Sequence, residues 1–254
     1  MAEPREPEPV LLIVAAFSRW PEAIGWARDN LQNRYGPTRL ESPVFDFVET
    51  HYYDDEMGAG LLCTKTPVGW VESSQTAGIV REMTADCEDS TQPTSGAGLK
   101  KQFFAFERLI QATELAAIKL WTNQLERLAA DSSEWATAKS GVARPINLDP
   151  GYLNAGKWVL ATTKDQAHRL YLGDGIYAEV TLRYEHGEFV PWPWTYPNYA
   201  RNDYRRFFND ARAEYLRLAR GQRSEIRSQR SENQTPEGAA DDRVPPRNPS
   251  IHEF

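Results

Sequence analysis

The chain contains only two cysteines, Cys63 and Cys87, and it has no long hydrophobic run. The two cysteines are far apart and match no metal-ligand spacing. The only continuous apolar stretch, residues 10–17, is far too short to cross a bilayer. It follows a Pro/Glu-rich segment rather than the positively charged start of a signal sequence. These absences predict a soluble cytoplasmic protein in a reducing compartment, with no membrane partner.

Common catalytic signatures are also missing. The sequence has no glycine-rich phosphate loop, no nucleophile elbow, and no pair of histidines at metal spacing among its four histidines. A surplus of positive charge is missing too, since the net charge is −7. Generic polyanion-binding proteins cluster Lys and Arg, so nucleic acid is disfavoured as a partner. The sequence assigns no cofactor, metal or oligomeric state, and it does not exclude an enzyme.

The composition is sufficient for one sizeable core, with 41% hydrophobic residues in a chain of 254. We predict a single α+β domain over residues 10–220, with disordered ends at residues 1–9 and 221–254. Residues 66–99 are rich in Ser, Thr, Gly and acidic side chains and show no sustained period, which predicts a flexible insertion.

The N-terminal half reads as alternating strands and helices. Residues 10–17 form an apolar run typical of a strand buried on both faces. Ser18 is expected to cap a helix that has Pro21 in its first turn and ends at Gly36. Further strands are predicted at residues 44–50, 61–65, 101–106 and up to Leu148. A second helix is predicted at residues 113–130, with a stripe of Leu115, Ile118, Leu125 and Leu128.

In the C-terminal half the hydrophobic period changes to two. Asp174-Gly175 is a tight-turn pair between residues 168–172 and a strand at residues 176–184, and His186-Gly187 marks another turn. Residues 192–199, with four aromatics and two prolines and with Pro191 directly before them, are read as an aromatic lid over a core edge. A last helix is expected from Tyr204 to Leu218. The predicted fold class is α+β, with a ferredoxin-like (split βαβ) N-terminal half extended by antiparallel β-hairpins and a C-terminal helix.

Two cations and an acid fall on the hairpin of residues 164–179. Lys164 and Arg169 lie close together in sequence, which suits a carboxylate or phosphate ligand. Glu179 lies in the middle of a strand and is a candidate base or a partner of the cations. His168 and Tyr171 are further ligand-binding candidates in the same segment. The alternative is an exposed hairpin with surface ion pairs, each contributing about 0–1 kcal/mol.

Two further acidic segments are candidates for chemistry. Asn147 and Asp149 alternate with apolar residues and precede a Pro-Gly turn, so they can serve a ligand or a metal, or cap the turn itself. Glu56 is the leading candidate in the acidic run at residues 54–56, where a divalent cation and simple hydration are both open. The candidate catalytic residues are thus Glu179, Asp149 and Glu56.

Two charged helix faces have plainer interpretations. Lys119, Asn123 and Glu126 share one face of the second helix, which lines a cleft or, more simply, faces water. Arginines surround the last helix, but interleaved acids such as Asp210 and Glu214 weaken an RNA-binding interpretation.

Six segments occur together and in order. They are Tyr52-Tyr53-Asp54-Asp55-Glu56-Met57-Gly58, Arg144-Pro145-Ile146-Asn147-Leu148-Asp149-Pro150-Gly151-Tyr152-Leu153, Leu160-Ala161-Thr162-Thr163-Lys164-Asp165, His168-Arg169-Leu170-Tyr171-Leu172, Gly175-Ile176-Tyr177-Ala178-Glu179-Val180-Thr181-Leu182 and Trp194-Thr195-Tyr196-Pro197. Together they resemble the bacterial family catalogued as domain of unknown function 4416. The resemblance implies a bacterial cytosolic protein and transfers no mechanism. The family pattern has an acid where this chain has Asn198, so that position receives no catalytic role.

Three functions follow as expectations. The first is binding or turnover of a small anionic metabolite, a nucleotide or phosphate ester, with Lys164, Arg169, His168, Asn147 and Tyr171 holding the ligand. The second is a protein-interaction module that uses an exposed aromatic surface at residues 192–199. The third is RNA binding through the arginine-rich last helix.

Overall fold

The computed structural model describes residues 3–47, 98–132 and 144–232. The predicted strand at residues 61–65, nearly all of the predicted insertion and the end of the predicted tail lie outside the described residues. Within the described ranges, no helix combines the length and the hydrophobicity needed to span a bilayer.

Over the described residues the architecture is α+β, with one antiparallel sheet of nine strands and three α-helices. The elements of the first half are β1 (Val10–Ser18), α1 (Pro21–Tyr35), β2 (Thr38–Glu41), β3 (Phe45–Asp46), β4 (Lys100–Ile110) and α2 (Leu115–Asp131). Those of the second half are β5 (Asn147–Leu153), β6 (Lys157–Thr162), β7 (Leu170–Gly173), β8 (Ile176–Glu185), β9 (Glu188–Pro191) and α3 (Asn202–Glu232).

The sheet runs in the order β2-β4-β1-β5-β6-β8-β7, with β3 on β4 and β9 on β8. The C-terminal hairpins therefore extend the first sheet and do not form a second one. Asp174 and Gly175 both have positive φ, at 53° and 77°, as the mirror-image hairpin turn requires. His186 and Gly187 repeat this geometry at the next turn.

Strand β1 is buried along its whole length because helices cover both faces of the sheet. Val10, Leu12, Val14 and Ala16 pack in a core with side chains of α1 and α2. The alternate residues Leu11, Ile13 and Ala15 pack in a second core with the aromatic side of α3, formed by Tyr204, Phe207, Phe208 and Tyr215. The result is a three-layer arrangement, whereas the split βαβ pattern predicts two layers.

Several local predictions need correction. Of the strand predicted at residues 44–50, Phe45–Asp46 is confirmed as β3, and residues 48–50 lie outside the described residues. Strand β2, a short edge strand that β4 holds in place, was not predicted. Ser18 does not cap α1, since its hydroxyl accepts the Trp20 N–H at 3.0 Å and donates to the Pro145 carbonyl at 2.6 Å.

Two helix predictions also differ from the structure. Leu128 is 63% exposed, so it does not belong to the apolar stripe of α2. Helix α3 continues past Gly221 to Glu232, because one glycine costs a helix only about 1 kcal/mol and its neighbours favour helix.

Candidate functional site

A gap opens in the sheet where β5 and β6 diverge. Strand β5 pairs with β1 from Asn147 to Leu153, but it pairs with β6 only from Gly151 to Leu153. Pro150, just before the paired part, has no N–H to contribute to a ladder. A cavity of about 330 Å³, which we call the cleft, lies between the separated strand ends and α2.

Side chains of α2 replace the missing neighbour of β5. The Leu148 N–H donates to Glu126 Oε1 at 2.7 Å, and Lys119 Nζ donates to the Leu148 carbonyl at 2.8 Å. Lys119 is 4% exposed and Glu126 is 8% exposed, so the interpretation of this helix face as hydrated is wrong. Buried strand-edge groups need partners, and these two charged residues supply them. Asn123, between them on the helix, also lines the cleft.

The lining of the cleft is rich in positive charge. Five cationic side chains line it, namely Lys119, Arg127, Arg144, Lys164 and Arg169. The acids among the lining residues are Glu126 and Asp149, and each has a cationic partner. Arg144 donates to Glu126 Oε2 through Nε at 3.1 Å and Nη2 at 2.5 Å. Lys119 Nζ lies 3.2 Å from Asp149 Oδ1.

Asp149 is held as a carboxylate by its neighbours. Burial raises the pKa of its carboxyl, but the charges of Lys119, Lys101 and Arg144 outweigh that effect and the pKa lies below its ordinary value. Asp149 can therefore accept a hydrogen bond or attract a cation at neutral pH.

The ionisation of Asp149 should make the stability of the folded protein depend on pH in the acidic range. Because its pKa is lower in the folded state than in the unfolded chain, its contribution is complete above the unfolded value of about 3.9 and is lost as pH falls toward the folded pKa. We expect Lys119→Met to raise the Asp149 pKa, since burial remains while the nearest charge is removed. Carboxyl chemical shifts recorded against pH measure this directly. An unchanged titration in the variant would contradict the assigned cause.

A buried ion pair lies beside the cleft, beneath Lys164. Arg169 Nε donates to Glu179 Oε2 at 3.0 Å, and the two side chains are 2% and 1% exposed. Arg169 Nη1 also donates to the Lys164 carbonyl at 3.0 Å. Glu179 is further surrounded by His168 Nε2 at 3.2 Å and by the Thr181 hydroxyl at 3.4 Å. Glu179 and Thr181 are thus buried in the polar face of β8, whereas Tyr177 and Arg183 on the same face are half-buried. His168 and Arg169, from the segment before β7, cover Glu179.

Aromatic side chains continue this network outward. The His168 ring stacks on Trp194 at 5.6 Å, and Trp194 stacks on Trp192 at 5.1 Å with an angle of 5° between the rings. Trp194 and Tyr196 are 45% and 47% exposed, and Tyr196 lines the cleft. Tyr199, which we expected on the same aromatic surface, is 2% exposed and packs in the core against α3.

One polar group in the cleft has no partner among the described residues. Asn147 is 2% exposed and lines the cleft, and its Nδ2 forms no hydrogen bond with any described residue. An amide donor that is buried and unpaired costs about 1–3 kcal/mol.

The structure brings together most of the residues expected from sequence. Asn147, Asp149, Lys164 and Arg169 line the cleft, and Glu179 and His168 adjoin it through Arg169. Tyr171 lies apart, on the outermost strand β7, where it is 62% exposed and its ring lies 5.3 Å from that of Tyr177. Glu56 lies outside the described residues.

Among the charged residues that line the cleft, Arg127 and Arg144 were not predicted as site residues, and Tyr196 was assigned to an aromatic surface rather than to a cleft. Arg127 directly follows Glu126 on α2, and Arg144 opens the segment that leads to Asn147. Their charge was the only signal in the sequence, because the cleft forms from segments that are distant along the chain. Across the described ranges, no cluster of three or more His, Cys, Asp or Glu side chains is arranged to hold a metal ion.

Comparison with known proteins gives one match. The family model described as domain of unknown function (DUF4416) matches residues 8–68 and 72–215. No curated protein and no solved structure matches the chain.

Proposed function

Since the chain belongs to this family of domains of unknown function, we propose its function from the geometry of the cleft: it binds a small anionic metabolite, a phosphate ester or nucleotide. The observation that carries the proposal is a cavity with five cationic and two acidic lining residues in a protein whose net charge is −7. A concave site lined by positive charges concentrates the electrostatic field and therefore attracts anions.

The proposed division of roles follows from burial. Lys164, Arg127 and Arg144 would contact the anion, because their side chains line the cleft. Glu179 would hold Arg169 in place, since it is 1% exposed and fully engaged with neighbours. Asp149 is then the candidate for acid–base chemistry, because its side chain lines the cleft.

Removing one cleft cation should weaken anion binding. We expect Lys164→Gln to reduce the affinity for inorganic phosphate or a phosphate ester by roughly 10-fold or more, because a hydrogen bond to a charged group contributes about 1.5–3 kcal/mol. A thermal-shift screen of the wild type against nucleotides and phosphate esters identifies the ligand. A ligand present at 100 times its dissociation constant adds about 2.7 kcal/mol to the free energy of unfolding.

The matched control is Lys157→Gln, which removes the same charge at the opposite end of β6. Lys157 is not among the residues that line the cleft. Equal losses of phosphate affinity in both variants would indicate a general effect of net charge. If no anion stabilises the wild type, the proposal is wrong.

A protein-interaction module remains a second candidate. The exposed rings of Trp194 and Tyr196 favour it, together with the apolar residues Leu170, Tyr171 and Leu172 on the edge strand β7. It becomes the leading interpretation if the anion screen is negative. RNA binding through α3 has less support, because Arg201, Arg205 and Arg217 each pair with an acid of this chain. No binding of RNA at low salt would eliminate it.

We also propose that the N-terminal part is ferredoxin-like and that the protein works in the bacterial cytosol. The order β5-β1-β4-β2, with α1 and α2 in one core, supports the first statement. The sparse cysteines and the family resemblance support the second. A crystal structure, and fractionation of the native host, test the two statements respectively.

A further inference from the structure

We propose that the edge strand β7 pairs antiparallel with β7 of a second copy of this chain, so that two nine-stranded sheets join into one. The twofold axis of this dimer passes through Tyr171. The inference goes beyond the anion site, because neither surface requires the other, and it commits the exposed residues of β7 to one occupant.

Strand β7 combines exposed apolar side chains with an open strand edge. Leu170, Tyr171 and Leu172 are 73%, 62% and 43% exposed, and no other three consecutive residues in the described part of the chain are large, hydrophobic and exposed. Consecutive apolar residues are typical of a strand that is covered on both faces. Among the described strands, β7 has a neighbour, β8, on one side only. The alternate N–H and C=O groups of such an edge strand point away from the sheet and can pair with another strand.

The other edges of the sheet carry features that prevent pairing. Strand β2 contains Arg39 and Glu41, and β9 contains Glu188 and ends at Pro191. Strand β3 is only two residues long. Charges, prolines and short length all discourage pairing between sheet edges. Strand β7 has neither a charge nor a proline, so it is the edge that lacks this protection.

The sequence of β7 fits a twofold partner. When two identical edges pair antiparallel, the axis is perpendicular to the sheet and passes through a residue, so that opposite residues share a face. An axis through Tyr171 sets Leu170 of one copy opposite Leu172 of the other, and the two Tyr171 residues opposite each other. The register shift between β7 and β8 lies on the turn side of Tyr171, before Gly173. Apolar residues therefore meet apolar residues at all three positions.

The flanks of β7 match under the same axis. His168 precedes Tyr171 by three residues and Asp174 follows it by three, so each Asp174 takes the register position of His168 in the other copy. Asp174 is exposed, and its carboxylate can accept a hydrogen bond from an imidazole. An axis through Leu170 would instead set Tyr171 opposite the buried Arg169. The apolar and polar matches thus select the axis through Tyr171.

Tyr171 is held in position before any partner binds. Its hydroxyl accepts the Gly175 N–H at 3.3 Å, and its ring lies 5.3 Å from that of Tyr177. An aromatic side chain that is already ordered loses little conformational entropy on association. Such residues are favoured at the centre of an interface, which is where the axis places Tyr171.

Sedimentation equilibrium of the full chain from about 5 μM to about 1 mM tests the dimer. Four paired residues form a smaller contact than the roughly 800 Å² per copy of a standard interface, so we expect weak association that increases with concentration. Leu170→Lys should weaken dimerisation by roughly 10-fold or more, because it places a charge in the apolar contact. Leu128→Lys is the matched control, because Leu128 is a 63% exposed leucine on α2, and dimerisation should be unchanged.

Variants at Tyr171 test the position of the axis. Tyr171→Lys and Tyr171→Glu should each be monomeric, because the axis sets two like charges opposite each other. An equimolar mixture of the two variants should form a one-to-one dimer, since opposite charges then face each other. In the wild type, the amides of residues 170–172 should exchange more slowly as the concentration rises, because strand pairing protects them.

The outcomes separate this inference from the anion site. A wild type that stays monomeric over the whole range overturns the proposal, and so does a dimer that Leu170→Lys leaves intact. If the two Tyr171 variants do not associate when mixed, the axis through Tyr171 is wrong. Phosphate binding by Leu170→Lys should equal that of the wild type, so loss of the dimer would leave the proposed function standing.

Discussion

Replacing Gly151 with alanine is expected to destabilise the protein by about 3 kcal/mol, because the new methyl group has no room. A Cβ at this position would lie 2.3 Å from the Val159 carbonyl oxygen and 2.4 Å from the Trp158 ring. Neither can yield easily, since one is backbone of the paired strand and the other is fully buried. For a chain of this size the midpoint of thermal unfolding should fall by roughly 6–12 °C.

The control for this prediction is Gly156→Ala, in the loop of the same hairpin. A Cβ at Gly156 would meet only the Asn154 side-chain oxygen, at 3.9 Å. That variant should unfold within a few degrees of the wild type. Equal midpoints for both variants would mean that β5 and β6 are not paired as described, and the cleft at the end of this pairing would be in doubt.

Glu179→Gln should cost about 3–5 kcal/mol of unfolding free energy, since it leaves the Arg169 charge buried without a counter-charge. The two side chains are 1% and 2% exposed, so water cannot replace the lost carboxylate. Denaturant unfolding measures this loss. The cost should be much larger than that of Glu185→Gln in the exposed pair with Arg183, for which about 0–1 kcal/mol is expected.

A double replacement gives the sharper result. Arg169→Met with Glu179→Leu removes both charges, and replacing a buried pair by apolar residues is often neutral or stabilising. We expect the double variant to be more stable than Glu179→Gln alone. If the two are equally unstable, the pair stabilises the fold through packing rather than through charge compensation.

Much of the local structure was predictable because it depends on residues close together in sequence. The apolar run of β1 and the alternation of β8 give strands, and the Asp174-Gly175 pair gives the turn before β8. The sequence also predicts that Asn147, Asp149, Lys164 and Arg169 cluster, because polar residues inside strand patterns are candidates for a site, and the structure places all four at the cleft.

The burial of charge was not predictable in the same way. Lys119 and Glu126 fit a hydrated helix face by spacing alone, and Glu179 fits the exposed face of a hairpin. They are buried because β5 lacks a neighbour at Leu148 and because the segment before β7 covers β8. Tyr171 stays a predicted ligand-binding residue, but it lies apart from the cleft, since a place in the same segment does not fix the direction of a side chain.

The amino-acid sequence by itself determined the class of the fold, the hairpin turns and the chemical types gathered near residues 144–179, because hydrophobic period and turn chemistry act over a few residues. Only the tertiary structure decided that β5 and β6 separate, that α3 covers the second face of the sheet, and that five cations surround one cavity. Those outcomes depend on contacts between distant segments, whose strength is set by packing and by the partners left for buried polar groups.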